Sequence, residues 1–468
     1  MLMLMLMLIL NYGLASKLQG QIPPDLANSL QTILDQQRQD FRTPGASAAA
    51  IFPDGQMWLG VSGVSDSAGE IPIMPALPFS IASLSKTHIA ALTLLLVETE
   101  EVDLDDSLYH WLPAIQYVDS VITIRQLLNH TSGVFSFHEH PAFSDSMFAR
   151  PERLWTPEDM LAVFMNHPYF PPGEGWHYSN TNYLLLGLIL REITGQSPVV
   201  LLRERLLEPN ELVETWYEIE EELPVEPAHP WHDLNHDGQL EDISFLPRTA
   251  RHSAIGVGGA LVSTARETAR FGHTLLGGDV ISEESLQSMF EFVDIPAGWL
   301  PFTGYGLGMG RIDLEGRELW GHEGDIPGYN SILLHLPQPP VTLCVLMNGD
   351  VNNSAPETGY ALMRRLIDAL TASPVTNLTL SPQTPGMSVY PSPVNSFGWL
   401  SGRFPITPQL RIDIWDVSGR RVRPIYRGAY TGGEMSVAID AGDLRAGVYY
   451  IRANSGYVQT CAPMTVIK

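Results

Sequence analysis

Ser83 and Lys86 stand three residues apart at the start of an apolar run, 83–96, whose spacing predicts a helix. Residues at this separation lie one turn apart on the same helix face. A serine hydroxyl is a weak nucleophile that needs a base nearby, and a lysine becomes such a base when burial lowers its pKa. The pair therefore predicts nucleophilic catalysis. A helix-capping serine beside a surface lysine is the alternative interpretation.

The choice of basic residues favours the catalytic interpretation. The chain has 27 lysines and arginines, of which only Lys17, Lys86 and Lys468 are lysines. Arginine keeps its charge under all ordinary conditions, whereas a buried lysine can lose its proton. Because Lys86 is the only lysine between residue 17 and the last residue, the sequence favours a role that needs a neutral amine.

Further motifs accompany Ser83 and Lys86 in a fixed order along the chain. They are Leu-Leu-Asn-His-Thr-Ser-Gly at 127–133, Tyr-Ser-Asn at 178–180, Gly-Gly-Ala-Leu-Val-Ser-Thr at 258–264 and His-Glu-Gly at 322–324. The set resembles the serine β-lactamase and penicillin-binding superfamily, specifically its branch of class C enzymes, D-alanyl-D-alanine carboxypeptidases and esterases. The resemblance covers residues 25–370.

An acyl-enzyme mechanism is what this resemblance implies. Ser83 would attack a carbonyl carbon, while Lys86 and Tyr178 would take its proton and later supply one to the leaving group. An ordinary tyrosine has a pKa of about 10. Tyr178 is therefore a useful base only if Lys86 or another positive charge lowers its pKa.

The substrate contacts are implied by the same resemblance. Asn180 would orient Lys86 and bind the substrate amide, and His322 would contact the substrate. Gly324 would let the substrate lie close against its strand. The backbone N–H groups of Ser83 and Asp325 would form the oxyanion hole.

The third motif departs from the Lys-Thr-Gly that is typical of β-lactamases. His322 stands in place of the cation and is mostly neutral at pH 7, and Glu323 replaces the hydroxyl. If Glu323 faces the cleft, it repels a substrate carboxylate and favours an amine or a neutral group. These residues predict slow or absent β-lactam turnover.

The predicted function is a serine hydrolase that forms an acyl-enzyme on small amides or esters, of the D-Ala-D-Ala carboxypeptidase or D-amino-acid peptidase type. A carboxylesterase of the same family, a class C β-lactamase and a penicillin-binding receptor without turnover are the alternatives. The substrate would be a small molecule or a peptide, and the chemistry requires no cofactor.

Elements at both ends of the motif set are predicted to share one sheet. Early strands are predicted within 45–63 around a turn at 53–56, and late strands at 329–336 and 341–347 are followed by a helix at 357–370. Strands at both ends with helices between them predict an α+β domain. The resemblance implies a β-lactamase/transpeptidase-like antiparallel sheet flanked by helices, with a helical subdomain.

Composition predicts four segments along the chain. Residues 1–20 resemble a signal peptide, and residues 21–372 form the hydrolase domain. Residues 373–387 are rich in Pro, Ser and Thr and predict a linker. Residues 388–468 contain short strand patterns, at 410–414 and 449–452, which predict a small β-sandwich.

The C-terminal segment has glycine-rich turns predicted at Gly419, Gly432-Gly433 and Gly447. It resembles the type A sorting domain of the bacterial type IX secretion system through 390–395, 416–420, 447–449 and the terminal Lys468. The resemblance implies a secreted or cell-surface protein that passes through the periplasm and engages the type IX machinery. Ser392 stands where asparagine is usual and 396–409 is longer than expected, so an adhesive or carbohydrate-binding sandwich is the alternative.

Residues 233–244 copy the start of a calcium-binding loop, with oxygen-bearing side chains at positions 1, 3 and 5 and glycine at position 6. Position 12 is Ser244, so the usual bidentate glutamate is missing. An acidic loop built from Asx-turns is the alternative to a structural calcium site. The candidate ligands are Asp233, Asn235, Asp237, Gln239 and Glu241.

Composition excludes several other classes of function. The net charge is −25, and a chain this acidic repels a phosphate backbone, so no nucleic-acid partner is expected. Two cysteines, Cys344 and Cys461, are too few for a disulfide scaffold or a thiolate metal site. No apolar run is long enough to span a bilayer, so no integral membrane segment is expected.

Overall fold

The chain divides into two compact units, Met1–Leu370 and Thr371–Lys468. The computed structural model describes residues 22–296, 302–351, 353–372, 388–390, 397–416, 420–442, 444–454 and 459–466. The predicted signal peptide and the predicted linker, 373–387, lie outside the described residues. The described helices, in chain order, are α1 Pro24–Asp40, α2 Ser85–Glu98, α3 Ile124–Leu128, α4 Phe143–Ala149, α5 Pro157–Val163, α6 Asn180–Thr194, α7 Pro198–Leu202, α8 Thr249–Ile255, α9 Ala265–Leu276, α10 Glu283–Met289 and α11 Ser354–Ala372.

An eight-stranded antiparallel sheet forms the frame of the first unit, in the order β2-β1-β13-β12-β11-β10-β9-β8. Two smaller sheets, β3-β7-β4 and β5-β6, lie outside it. The strands of this unit are β1 Gly45–Ile51, β2 Met57–Gly63, β3 Phe79–Ser80, β4 Thr215–Tyr217, β5 Trp231–His232, β6 Glu241–Asp242, β7 Leu261–Ser263, β8 Val293–Asp294, β9 Phe302–Tyr305, β10 Gly310–Leu314, β11 Arg317–Ile326, β12 Tyr329–Leu336 and β13 Val341–Met347.

The early and late strands pair as predicted. Ala46 of β1 lies opposite Met347 of β13, and the ladder runs to the pair Ile51 and Thr342. All of β1, Gly-Ala-Ser-Ala-Ala-Ala-Ile, is buried, because helices cover both faces of the sheet at this point. The small side chains of β1 allow those helices to pack close to the backbone.

Each face of the sheet has its own hydrophobic core. On one face, Ala48 of β1 packs with Leu30 of α1 and Leu366 of α11. On the other face, Ala49 belongs to the larger core that also contains α9 and the buried helix α2. This second face joins the sheet to the helical region, which confirms the predicted α+β class with an antiparallel sheet flanked by helices.

The turn that carries Ser83 differs from the sequence prediction in its first residues. A 3-10 turn spans Ala82–Leu84, and the α-helix begins only at Ser85. Ala82 has a φ of 47°, in the left-handed region that residues with a side chain rarely adopt. Strained backbone of this kind is found where the surrounding structure holds a functional group in place.

The second unit is all-β, as predicted. Its described strands are β14 Ser388–Tyr390, β15 Phe397–Asp416, β16 Arg421–Asp440, β17 Gly447–Asn454 and β18 Gln459–Val466. The predicted strands at 410–414 and 449–452 lie within β15 and β17. The predicted turn at Gly432-Gly433 is wrong, because β16 continues through it while paired with β15. Gly447 begins β17, and Gly419 lies outside the described residues.

Among the described residues, no single helix is both long enough and apolar enough to cross a membrane. Two consecutive segments, Asn180–Thr194 and Pro198–Asn210, reach that length and composition only when taken together, and they are bent by 82° at their junction.

Candidate active site

The hydroxyl of Ser83 lies within hydrogen-bond reach of the amine of Lys86. The distance from Lys86 Nζ to Ser83 Oγ is 3.0 Å, and Nζ donates a second hydrogen bond of 2.7 Å to the carbonyl oxygen of Gly258. Lys86 is fully buried, and this burial lowers its pKa to about 7. At neutral pH, Lys86 is therefore a neutral amine in a large fraction of the molecules, and the neutral amine is the form that accepts a proton.

The Gly258 carbonyl is a partner of Lys86 that the sequence did not indicate. It lies in the 3-10 turn Gly256–Gly258, which leads from α8 toward β7. A Cβ at residue 258 would lie 2.9 Å from Tyr183 Cβ and 3.5 Å from Lys86 Nζ, so glycine allows the close approach. The glycine spacing is visible in the sequence, but it does not reveal that a carbonyl faces a lysine 172 residues away.

Tyr178 contacts the nucleophile but does not meet the condition for acting as a strong base. Its hydroxyl hydrogen-bonds with Ser83. Complete burial raises the pKa of Tyr178 and the charge of Glu323 raises it further, while the hydrogen bond to Ser83 lowers it by less. Because Tyr178 stays a phenol, Lys86 is the group able to take the proton from Ser83. The phenol remains able to pass a proton on.

Asn180 does not hold Lys86 in the way that the sequence implied. The amine of Lys86 is hydrogen-bonded to Ser83 and Gly258, whereas the Asn180 backbone N–H donates to Ser136 Oγ at 3.2 Å. Asn180 Oδ1 is buried and has no hydrogen-bond partner among the described residues. Asn180 also lines the cavity above Ser83. Its side-chain oxygen is therefore an acceptor suited to an N–H group of a substrate.

His322 lies on β11 as a neutral side chain. Its Nδ1 faces the carbonyl oxygen of Glu323, which can only accept, so Nδ1 carries the proton. Its Nε2 then accepts from the hydroxyl of Tyr305 at 2.6 Å. Burial and the nearby charge of Lys86 lower the pKa of His322 to about 3. The site has no cation at this motif, as expected from the sequence.

Gly324 brings β11 directly against the turn that carries Ser83. A Cβ at residue 324 would lie 2.5 Å from the carbonyl oxygen of Ile81 and 3.1 Å from the backbone nitrogen of Ser83. Ser331 of β12 ties the same turn to the sheet, because its hydroxyl donates to the Ile81 carbonyl at 2.9 Å. Asp325 follows on β11, so the predicted pair of oxyanion-hole amides belongs to neighbouring segments.

Buried His130 supports Tyr178 from behind. Its Nδ1 accepts hydrogen bonds from the backbone N–H of Ser179 at 3.2 Å and from Asn182 Nδ2 at 3.1 Å. Its ring lies 4.3 Å from the Tyr178 ring, and burial together with the charge of Lys86 lowers its pKa. His130 belongs to the 127–133 motif, but its position beneath Tyr178 was not predictable from spacing.

One cavity of about 670 Å³ gathers most of the predicted site. Lys86 lies beneath its floor, bonded to Ser83. The predicted site residues that line this cavity are Ser83, Tyr178, Asn180, His322, Gly324 and Asp325.

The walls of the cavity include side chains that the sequence analysis did not assign. His138 and Glu139 come from the short helical turn before α4, Phe148 from α4 and Arg251 from α8. Glu323 also lines the cavity, as the specificity argument requires, and its Oε1 accepts from the Tyr360 hydroxyl at 2.9 Å. Composition alone did not indicate these wall residues, because they come from loops and short helices whose conformation depends on the whole fold.

Four of the predicted calcium ligands lie in the loop between β5 and β6, and the fifth, Glu241, begins β6. All five lie outside the described lining of the cavity. Carboxylate oxygens of Asp233, Asp237 and Glu241 approach within 4.8 Å of one another. Asn235 Nδ2 donates to Glu241 Oε1 at 2.9 Å, and the backbone N–H of Gln239 donates to Asp237 Oδ1 at 2.9 Å. These hydrogen bonds suit an Asx-turn loop equally well, so the calcium site stays a prediction.

Two family models match the chain. A Beta-lactamase model matches residues 30–366. A model described as a secretion system C-terminal sorting domain matches residues 388–466. The second match indicates export from the cell or to its surface.

Relatives and solved structures agree with the first match. The chain is 28% identical over 300 residues to penicillin-binding protein 4* of Bacillus subtilis (strain 168), covering 61% of this chain and 64% of that protein. It is 30% identical over 348 residues to penicillin-binding protein 4 of Amycolatopsis lactamdurans, covering 69% and 86%. A D-amino acid amidase from Ochrobactrum anthropi SV3, in complex with L-phenylalanine amide, superposes with a TM-score of 0.66 at 27% identity, covering 74% of this chain and 100% of that one.

The pH dependence of Ser83 reactivity tests the role of Lys86. Only the neutral amine accepts a proton, so labelling of Ser83 by a fluorophosphonate probe should accelerate as the pH rises through the lowered pKa of about 7 and then level off. With an exposed lysine, the rise in labelling rate would occur at a pH of about 10. Lys86→Gln should slow labelling on the order of 10²–10⁴-fold.

Ser83→Ala serves as the control that the label is on Ser83. A flat pH profile, or labelling of Lys86→Gln at the wild-type rate, would show that Lys86 is not the base.

Calcium should raise the melting temperature relative to EDTA, because an ion that binds only the folded state stabilises it. Asp237→Asn removes one charged ligand and should abolish the difference, while Asp54→Asn removes an acidic side chain from another exposed turn and should retain it. Equal wild-type melting temperatures in calcium and in EDTA would rule out the ion.

Proposed function

The chain belongs to the beta-lactamase family, and we propose that it is an exported serine hydrolase that forms an acyl-enzyme on small D-amino-acid amides and peptides. The observation that carries this proposal is the 3.0 Å approach of a buried, largely neutral lysine amine to a serine hydroxyl. Lys86 and Tyr178 both contact the Ser83 hydroxyl, Gly258 accepts a hydrogen bond from Lys86, and Gly324 lies against the backbone of Ser83.

In the first half of the reaction, Ser83 Oγ attacks the substrate carbonyl while its proton passes to Lys86 Nζ. The backbone N–H groups of Ser83 and Asp325 hold the resulting oxyanion. When the carbon–nitrogen bond breaks, the proton returns from Lys86 to the leaving amine, with the Tyr178 hydroxyl as a relay. The product of this half is an ester between Ser83 and the acyl group.

In the second half, water attacks the ester carbonyl and gives its proton to Lys86. The intermediate collapses, Ser83 recovers a proton, and the carboxylic acid leaves. Neutral His322 adds no positive charge to this path. The reaction therefore needs neither a metal nor an external redox partner, since proton transfers and bond exchange balance each half.

The charges on the walls support an amine-bearing substrate. Glu323 lines the cavity, and it would attract the α-amine of an amino-acid amide and repel a carboxylate. Asn180 Oδ1 offers an acceptor to an N–H group. The similar solved structure of a D-amino acid amidase in complex with L-phenylalanine amide supports the same class of substrate.

A penicillin-binding protein that is acylated once and then stalls is the second candidate. The names of the two curated relatives favour it. The His-Glu-Gly motif at 322–324 weakens this second candidate, because His322 and Glu323 offer no cation for the carboxylate of a β-lactam.

We further propose that export proceeds through the periplasm, with residues 388–468 addressing the folded enzyme to the type IX machinery. The support is the sorting-domain match at 388–466, together with the leader-like residues 1–20.

A substrate panel tests the proposed reaction. Purified protein should hydrolyse D-phenylalanine amide faster than its L isomer and should hydrolyse nitrocefin slowly or not at all. Ser83→Ala should lower amidase activity on the order of 10⁴-fold or more. Ser144→Ala makes the same change at an exposed position on the same cavity wall and should retain most activity.

Two outcomes would overturn this assignment. Nitrocefin turnover at the rate of a resistance enzyme would make the protein a β-lactamase. A single permanent label by fluorescent penicillin, without turnover of any amide, would make it a receptor.

Truncation after residue 387 tests the proposed export route. The truncated enzyme should retain amidase activity but accumulate in the periplasm of the host, because it lacks the sorting domain. Fractionation with an activity assay locates it, and delivery of the truncated protein to the surface at the wild-type level would refute the role of residues 388–468.

A further inference from the structure

Arg251 is a buried cation on the wall of the catalytic cavity, and its guanidinium group makes no hydrogen bond within the described residues. It belongs to α8, is 4% exposed and lines the same cavity as Ser83. None of its three guanidinium nitrogens has a hydrogen-bond partner among the described residues. A guanidinium group has five N–H donors and stays protonated in proteins, so this arrangement leaves all five donors without an acceptor.

The carboxylates nearest to Arg251 are engaged elsewhere. Glu218 accepts a 2.5 Å hydrogen bond from Arg248 and also contacts His252. Asp350 is paired with His232 at 2.5 Å. Burying an ionised group is unfavourable unless a partner of opposite charge compensates it. Glu218 and Asp350 compensate part of the charge of Arg251 through space, but neither accepts a hydrogen bond from its guanidinium group. The guanidinium donors are therefore available to an anion that enters the cavity.

Phe148 forms the cover over the guanidinium group. Arg251 Cζ lies 5.6 Å from the centre of the Phe148 ring, and the guanidinium nitrogens are shielded from solvent. Phe148 is only half-buried, and its ring also stacks on that of His232, with the ring centres 5.3 Å apart. A carboxylate that reaches the guanidinium nitrogens therefore has to displace this ring.

We propose that Arg251 is the binding site for a carboxylate on the acyl part of the substrate, which makes the enzyme selective for acidic D-amino-acid amides. The inference deepens the proposed function and depends on it. A carboxylate and a guanidinium group form paired, charge-assisted hydrogen bonds, which the buried site would strengthen.

The charges of the lining residues favour the acyl part over the leaving group. The α-amine of an amino-acid amide belongs to its acyl part, and Glu323 on β11 lines the cavity where it can attract that amine. A carboxylate on the same acyl part would be repelled by Glu323 and needs a cation on another element. Arg251 lies on α8 beside Phe148, a wall built from other elements.

Two substrates that differ only in charge test the site. D-glutamic acid α-amide and D-glutamine α-amide have nearly the same shape, but only the first carries a side-chain carboxylate. Wild-type kcat/KM should favour the acidic amide roughly 10- to 100-fold, mainly through KM, as expected for loss of a charged hydrogen bond. Arg251→Met should bring the ratio near one, and Arg251→Lys should restore part of it.

Arg191→Met is the matched control, because it removes one positive charge from an exposed position on α6. It should leave the substrate ratio at the wild-type value. If D-alanyl-D-alanine is preferred over its C-terminal amide and Arg251→Met removes that preference, the carboxylate site serves the leaving group and the acyl assignment is wrong.

Thermal stability separates this inference from the proposed reaction. D-glutamate should raise the wild-type melting temperature more than D-glutamine does, and it should have no such effect on Arg251→Met. The ligand-free Arg251→Met protein should melt at or above the wild-type temperature, because it loses a buried guanidinium group whose donors have no acceptor.

The two ideas fail in different ways. Binding of D-glutamate through Arg251 without hydrolysis of any amide would refute the reaction and retain the site. Hydrolysis with equal rates for both substrates, and no selective thermal shift, would overturn the site. A lower melting temperature of ligand-free Arg251→Met would show a structural role instead.

Discussion

Desolvation of a single amine is the constraint on which the rest of the site depends. Among the residues that the structure describes, no carboxylate shifts the pKa of Lys86, and burial brings that pKa to about 7. A buried ammonium would be stabilised by an anion, and an anion would make it useless as a base. The structure avoids that conflict by giving Lys86 a neutral partner, the Gly258 carbonyl, at 2.7 Å. The amine is oriented without being held in its charged form.

The sheet supplies the other requirement, which is a fixed distance between the nucleophile and the strand beside it. Ser83 lies in a short 3-10 turn whose preceding residue, Ala82, has left-handed backbone. The turn is held on one side by Ser331 and on the other by the buried first residues of α2. Gly324 then allows β11 to approach the turn to contact distance. Packing on both faces of the sheet therefore determines the geometry of the reacting atoms.

Sequence patterns predicted the elements with strong periodicity and the residues with local spacing. The strands Tyr329–Leu336 and Val341–Met347 have the predicted bounds, because both are short runs rich in apolar residues and ended by turn residues. Ser83 and Lys86 were visible because they are neighbours on one turn. Gly258 and Arg251 were not visible as partners, since their roles depend on contacts between segments far apart in the chain. The charge state of Tyr178 was also beyond sequence reasoning, because burial decides it.

The distribution of charge around the cavity follows from the same constraint. Groups that touch the reacting atoms are kept neutral by burial, as the lowered pKa of His322 and the raised pKa of Tyr178 both indicate. Ionisable side chains line the walls instead, with Arg251 on α8 and Glu323 on β11. Selectivity for charged substrates is therefore assigned to these wall residues and not to the groups that transfer the proton. Two walls of opposite sign can orient a substrate that carries both an amine and a carboxylate, and they can do so without altering the protonation of the amine that drives the reaction.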